Sequence, residues 1–256
     1  MRPNTTKRLL KDGKAAIGIM ISSISPLAAE AVANIGFDWA MVDLQHGEPN
    51  LGDMTRQLQA ISTTGTTPFV RVPYNDFLTI GRALDLGAYG IVVPLVNTVA
   101  EARAAVHATK YPPLGGRSFG PIRAAIYGGD NYYAESNDEL ALFVMIETAE
   151  GVKNVREILA VEGVDGCYVG PSDLSISYGA IPNGDTGVPL ADPVEEAIET
   201  ILAACKEAGK PAGFHVANAG AANRRLRQGF RFIGLGSEGS FVSAGARAML
   251  AAAGRA

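Results

Sequence analysis

Leu142-Phe143-Val144-Met145-Ile146 runs straight into Glu147, and Gly166-Cys167-Tyr168-Val169-Gly170-Pro171-Ser172 runs into Asp173. Each is a short apolar run closed by an acid. Runs of this length, bounded by polar residues, read as strands buried on both faces, the pattern of a parallel sheet. Both acids then stand at strand C-terminal ends. In α/β barrels those ends carry the chemistry.

Working outward, strand-like and helix-like patterns alternate eight times. The strands are expected over 15–20, 37–43, 68–72, 90–94, 142–147, 166–170, 212–216 and 231–236. Between them lie amphipathic, alanine-rich segments at 26–35, 51–63, 76–86, 98–109, 151–160, 193–208, 219–228 and 241–253. Eight strands, each followed by a helix, predict an α/β fold, a (β/α)8 TIM barrel. A chain of 256 residues suits one such domain, spanning 1–256. No internal repeat is evident. Two connections are unusually long: 111–137, rich in Gly, Pro, Tyr and Asn, and 175–191. Long ordered insertions serve either as lids and binding loops or as subunit contacts, and both readings stay open.

Composition removes several classes of function. With 22 Lys and Arg against 26 Asp and Glu, net −4, and no basic stripe interleaved with aromatics, nucleic acid is not an expected partner. No uncharged apolar stretch is long enough to span a membrane. The N-terminal Met1-Arg2-Pro3-Asn4-Thr5-Thr6-Lys7 is not followed by a secretory h-region. Cys167 and Cys205 form no CxxC pair and sit in apolar surroundings, which suits buried reduced thiols in a cytoplasmic protein. Gly234-Leu235-Gly236-Ser237-Glu238-Gly239 fits the dinucleotide fingerprint but lies too near the end for a βαβ unit, so no nicotinamide cofactor is expected.

Two further clusters join the acids. Asp43 ends the second strand and His46 follows within the same turn. An Asp that accepts from one imidazole nitrogen fixes the tautomer and raises the basicity of the other, as a general base needs; alternatively, Asp43 caps the turn and His46 is a plain loop histidine. Arg71 ends the third strand among apolar residues. Carboxylate-only ligation by Glu147 and Asp173 suits Mg²⁺, Mn²⁺ or Co²⁺ better than zinc. Two protein ligands leave room for a chelating α-keto acid, toward which such a cation acts as a Lewis acid.

At this point the motifs resemble a known family. Phe37-Asp38-Trp39 through Asp43-Leu44-Gln45-His46, Val70-Arg71-Val72-Pro73-Tyr74-Asn75-Asp76, Ile146-Glu147-Thr148 with Gly151-Val152-Lys153-Asn154, and Val161-Glu162-Gly163-Val164-Asp165-Gly166 leading to Gly170-Pro171-Ser172-Asp173-Leu174-Ser175 are similar, in order, to the 4-hydroxy-2-oxoheptane-1,7-dioate aldolases. The resemblance covers essentially the whole chain. It implies a class II, metal-dependent aldolase that cleaves 4-hydroxy-2-oxo acids to pyruvate, or hydroxypyruvate, plus an aldehyde, and runs the reverse addition. It also implies a homohexamer built as a dimer of trimers, with the C-terminal helix exchanged onto a neighbouring barrel. By position, Glu147 and Asp173 would hold the metal, Arg71 would stabilise the keto or enolate oxygen, and His46, oriented by Asp43, would be the acid/base. Backbone amides near Ser172 and Asp173 would receive the pyruvate carboxylate, and Asp85 would reach a neighbouring subunit's site.

The chain departs from that pattern twice. Met145 stands where the family often has Gln, and His215 where it often has an apolar residue. His215 is expected either to face the aldehyde portion of the substrate or to be a packed histidine; the third histidine, His107, is expected on a helix surface. Other enolate-forming lyases on the same scaffold, citrate-lyase-like or macrophomate-synthase-like, are the alternative function. A Schiff-base aldolase is disfavoured because no lysine ends an expected strand. A catalytically idle barrel that binds organic acids is disfavoured by the five polar groups gathered at strand ends.

Overall fold

A computed structural model describes residues 1–182 and 184–255. Eight strands close into a parallel barrel in sequence order. They are β1 (Ala16–Ile21), β2 (Trp39–Asp43), β3 (Thr67–Arg71), β4 (Gly90–Val93), β5 (Ala141–Met145), β6 (Gly166–Val169), β7 (Ala212–Val216) and β8 (Phe232–Ser237). The expected strands all form. Glu147 lies two residues beyond β5 rather than inside it.

Side chains alternate across each strand. Ile19, Ala40, Val42, Val70, Ile91, Val144, Cys167, Phe214 and Val216 pack outward against the helices. Met20, Trp39, Met41, Phe69, Phe143, Met145, Tyr168 and Phe232 fill the interior. Stacking is tight there: Trp39 and Phe143 each lie 4.3 Å from Phe232, centroid to centroid. The same parity sends Asp43, Arg71 and His215 inward, because their neighbours in sequence face out. Parity and register thus fix these three positions before any loop contributes.

Polar N-caps start the helices at the mouth. Asn50 and Thr98 close capping boxes with Asp53 and Glu101, each such cap worth about 1 kcal/mol. At the other end, the helix Thr5–Lys11, which the apolar periodicity does not reveal, inserts Leu10 beneath the barrel fill. The helix Glu238–Ala252 is buried only at Glu238, whose carboxylate accepts the Ser22 and Ser23 backbone N–H groups. No helix among the described residues is long and apolar enough to cross a membrane.

The excursion 111–137 contains the helix Ile122–Gly128 and most of a second, Tyr132–Glu139. It follows a helix and precedes β5, so topology places it at the N-terminal end of the barrel. Arg117 there pairs with Asp85 at 2.8 Å and donates to Tyr132 Oη at 3.1 Å. The lid reading therefore fails for this segment of the chain's own site. The other connection does follow a strand: a short helix, Pro171–Ser177, begins directly after β6. Further along, buried Asp185 bridges to Val216 and binds Arg224 at 2.7 Å and Arg225 at 2.6 Å, tying the loop to the barrel.

Candidate active site

Asp43 and Arg71 are Cα partners in the β2–β3 register. Their side chains form a two-point ion pair, Arg71 Nε to Asp43 Oδ1 at 2.9 Å and Nη2 to Oδ2 at 2.7 Å. Both are buried. Burial alone would raise the Asp43 value, but the Arg71 hydrogen bond and charge, with N–H groups of Gln45 and His46, hold it below the usual carboxylate range. Asp43 Oδ1 accepts those backbone N–H groups at 3.0 and 3.3 Å. This is the capping alternative raised above. The expected hydrogen bond from the His46 imidazole to Asp43 is not among the described contacts, since a guanidinium already takes both oxygens. His46 itself is exposed at the mouth.

Glu147 is 1% exposed. Its Oε1 accepts the Leu95 N–H at 2.8 Å, and Oε2 has no hydrogen-bond partner among the described residues. Burial pushes its pKa up to about 7; the Leu95 hydrogen bond opposes this, the nearby Asp173 charge adds to it, and Arg71 opposes it. Leu95 holds φ 53, the left-handed region, to aim that amide. Gly170 supplies the room: a Cβ there would lie 2.3 Å from Glu147 Oε2. Asp173 is half-buried in the first turn of Pro171–Ser177, with Ser172 beside it. Met145 is buried below Glu147, in the barrel fill.

His215 faces inward and is half-buried, with Nδ1 3.2 Å from Tyr168 Oη. Burial and the Arg71 charge lower its pKa to about 4, against a weaker pull from Asp43. The folded value lies below the ordinary 6.5, so the stability linked to this ring is intact above 6.5 and lost as pH falls through 4. His215→Gln is therefore expected to reduce the loss of stability between pH 6.5 and 4 by on the order of 2 kcal/mol after allowance for partial exposure, and so to flatten the fall of Tm. Thermal melts of both proteins across that range check it; parallel curves would count against a neutral ring. His107 is exposed, as expected, and lies 5.7 Å from the Phe77 ring.

Sequence reading missed Leu95, Gly170 and Tyr168. A tyrosine in an apolar strand at inward parity was a visible signal for the last; the other two depend on φ and on a missing Cβ. Asp85 sits at the opposite end of the barrel from this chain's own mouth, paired with Arg117. Among lysines, burial lowers Lys110 to about 8 and also lowers Lys210. Lys210 precedes β7, and Lys110 Nζ reaches the start of β5, donating to Asn137 O and Leu140 O at 2.7 Å. A cavity of about 750 Å³ opens at that same end, lined among others by Lys7 and Lys110, each of which pairs with Asp165.

Carboxylates, a guanidinium and two histidines on the C-terminal rim of a closed parallel barrel define an α/β-barrel enzyme. Residues 16–244 match the family described as HpcH/HpaI aldolase/citrate lyase, and the chain belongs to that family. It is a carbon–carbon lyase of the aldolase class. It is 38% identical over 251 residues to the 4-hydroxy-2-oxo-heptane-1,7-dioate aldolase of Shigella sonnei (strain Ss046), covering 97% of this chain and 94% of that one. A crystal structure of an HpcH/HpaI aldolase/citrate lyase family protein from Burkholderia cenocepacia J2315 superposes with a TM-score of 0.91 at 34% identity, covering 98% of this chain and 99% of the other. Macrophomate synthase superposes at 0.86 with 26% identity, covering 98% and 88%.

Proposed function

We propose that the protein is a divalent-metal-dependent aldolase that cleaves 4-hydroxy-2-oxo acids to pyruvate, or hydroxypyruvate, and an aldehyde, and catalyses the reverse addition. One observation carries the reading most: a buried carboxylate oxygen of Glu147, without a partner among the described residues, beside Asp173 and Arg71 at a barrel mouth. Leaving such an oxygen dry and unpaired is costly unless a cation or proton meets it. Glu147 and Asp173 would hold Mg²⁺, Mn²⁺ or Co²⁺ as a pair, with positions left open, since no larger group of His, Cys, Asp or Glu fit to hold a metal occurs among the described residues to add a third ligand. When bound, that ion supplies Lewis acidity toward the keto acid.

The chain's own residues divide the remaining work. Asp43 immobilises Arg71 through Nε and Nη2, leaving Nη1 to meet the keto or enolate oxygen without reorganising. His46, exposed at the rim, takes the 4-hydroxyl proton directly or through water during cleavage and returns it during addition. The first turn at Ser172 and Asp173 receives the pyruvate carboxylate, and Met145 replaces a polar contact with an apolar one. Asp85, remote from this chain's mouth, would serve a neighbouring subunit. That role fits a cytoplasmic hexamer, a dimer of trimers, in which the exposed helix Glu238–Ala252 packs on another barrel. Higher identity to the named aldolase than to macrophomate synthase favours aldol cleavage over the other enolate-forming lyases.

Purified protein is expected to release pyruvate from 4-hydroxy-2-oxo acids, to lose this with EDTA and to regain it with Mn²⁺ or Mg²⁺; borohydride trapping of a pyruvate adduct would overturn the metal-dependent reading. Gly170→Ala is expected to displace Glu147 and weaken Mn²⁺ binding by about 10–100-fold, the size typical of disturbing a ligand's support. Calorimetric titration reads this, and unchanged affinity would count against Glu147 as a ligand.

A further inference from the structure

Tyr168 and His215 form a pair that aldol chemistry does not by itself require. The Tyr168 ring is fully buried, edge-on to Phe232 with centroids 5.7 Å apart, and burial raises its pKa, so the phenol keeps its proton. Its hydroxyl has one hydrogen-bond partner among the described residues, His215 Nδ1. If Nδ1 carried the ring proton, the Tyr168 O–H would have no acceptor, at a cost of about 1–3 kcal/mol for a buried donor. Tyr168 therefore donates, Nδ1 accepts, and the neutral ring carries its proton on Nε2.

The backbone makes room for this contact. His215 is the Cα partner of Gly234 across β7 and β8, and a Cβ on Gly234 would lie 2.0 Å from Tyr168 Oη and 3.1 Å from His215 Nδ1. This glycine, part of the apparent dinucleotide fingerprint, thus has a local steric purpose. With Nδ1 turned to a buried hydroxyl, the ring's other edge bears Nε2, which is not among the fully buried unpartnered atoms of the described residues, on a side chain that is half-buried overall.

We propose that Tyr168 locks His215 as a neutral Nε2–H donor on the floor of the mouth, and that this donor selects aldehydes carrying an acceptor oxygen, such as an α-hydroxyl, over alkyl aldehydes of equal size. The selectivity half rests on the aldolase reading above; the tautomer half rests on the hydrogen bond alone. A site built to bond a hydroxyl rejects the analogue lacking it more strongly than an apolar pocket rejects a misfit.

Two measurements on the full-length, Mg²⁺-loaded protein test it. Imidazole ¹⁵N shifts of histidine-labelled protein, with His215 assigned by its loss in His215→Gln, are expected to show Nδ1 bare and Nε2 protonated at neutral pH. Tyr168→Phe is expected to mix the tautomers. A wild-type ring protonated on Nδ1, or shifts unmoved by Tyr168→Phe, would overturn the lock. For pyruvate addition, the ratio of kcat/KM for glycolaldehyde to that for propanal is expected to fall about 5–30-fold in His215→Leu, the range of one or two hydrogen-bond energies. It should fall less in Tyr168→Phe and be largely kept in His215→Gln, whose amide can donate from a similar place. An unchanged ratio in His215→Leu would overturn the selectivity half. Absence of turnover with any aldehyde in the wild type would remove the aldolase reading and that half with it, while the nitrogen shifts would still decide the tautomer.

Discussion

Glu147→Gln is expected to lower kcat/KM for pyruvate release by about 10²–10³-fold or more while leaving Tm unchanged or higher. The two effects diverge for one physical reason. The carboxylate is buried near the Asp173 charge, its Oε2 has no hydrogen-bond partner among the described residues, and burial raises its pKa to about 7. A neutral amide of nearly the same shape relieves that desolvation and keeps the Leu95 hydrogen bond through its carbonyl oxygen. It also presents N–H groups where a cation would need a lone pair, so divalent-ion affinity should collapse alongside activity. Calorimetric titration with Mn²⁺, steady-state kinetics and thermal melts on the same preparation separate these effects. A large drop in Tm with retained Mn²⁺ affinity would assign Glu147 to structure and remove it from the site.

Asp43→Ala is expected to act mainly on stability. It leaves the Arg71 guanidinium buried and unpaired, a change that costs about 3–5 kcal/mol, or roughly 6–20 °C in Tm for a chain of this size. Replacing both partners, Asp43→Leu with Arg71→Met, should recover much of the lost stability while remaining inactive. His46→Ala should leave Tm near wild type, because that ring is exposed. Had Asp43 served chiefly to orient His46, the two single variants would instead match in stability and differ from wild type in rate alone. Melts of the four proteins distinguish these outcomes.

Much of this was legible in the chain itself, for reasons that particular residues show. Continuous apolar runs alternating with amphipathic segments, and the acids closing the runs at Glu147 and Asp173, located the barrel and its working end. Asp43 and Arg71 were visible as polar groups at strand ends, yet their mutual pairing was not, because it depends on the β2–β3 register, which local sequence does not encode. The turn amides and Arg71 claimed Asp43 ahead of the His46 ring. The start of the helix Pro171–Ser177 near Ser172 and Asp173 was legible, because a proline fits a first helical turn; its extent was not. The excursion 111–137 was open between a lid and a subunit contact until its place in the connection order assigned it to the other end. Leu95 and Gly170 act through φ and empty space, which side-chain chemistry does not announce.

The alternation along each strand has a consequence for how variation in this chain should be read. Height along a strand and facing parity together form a coordinate system for phenotype. Outward positions such as Val144 or Phe214 govern how helices seat, low inward positions such as Phe143 govern whether the cylinder fills, and high inward positions such as Arg71 or His215 govern what it does. Moving two residues along one strand therefore exchanges a stability lesion for a chemical one. Two coordinates, more than distance in the chain, decide which kind of change a substitution brings.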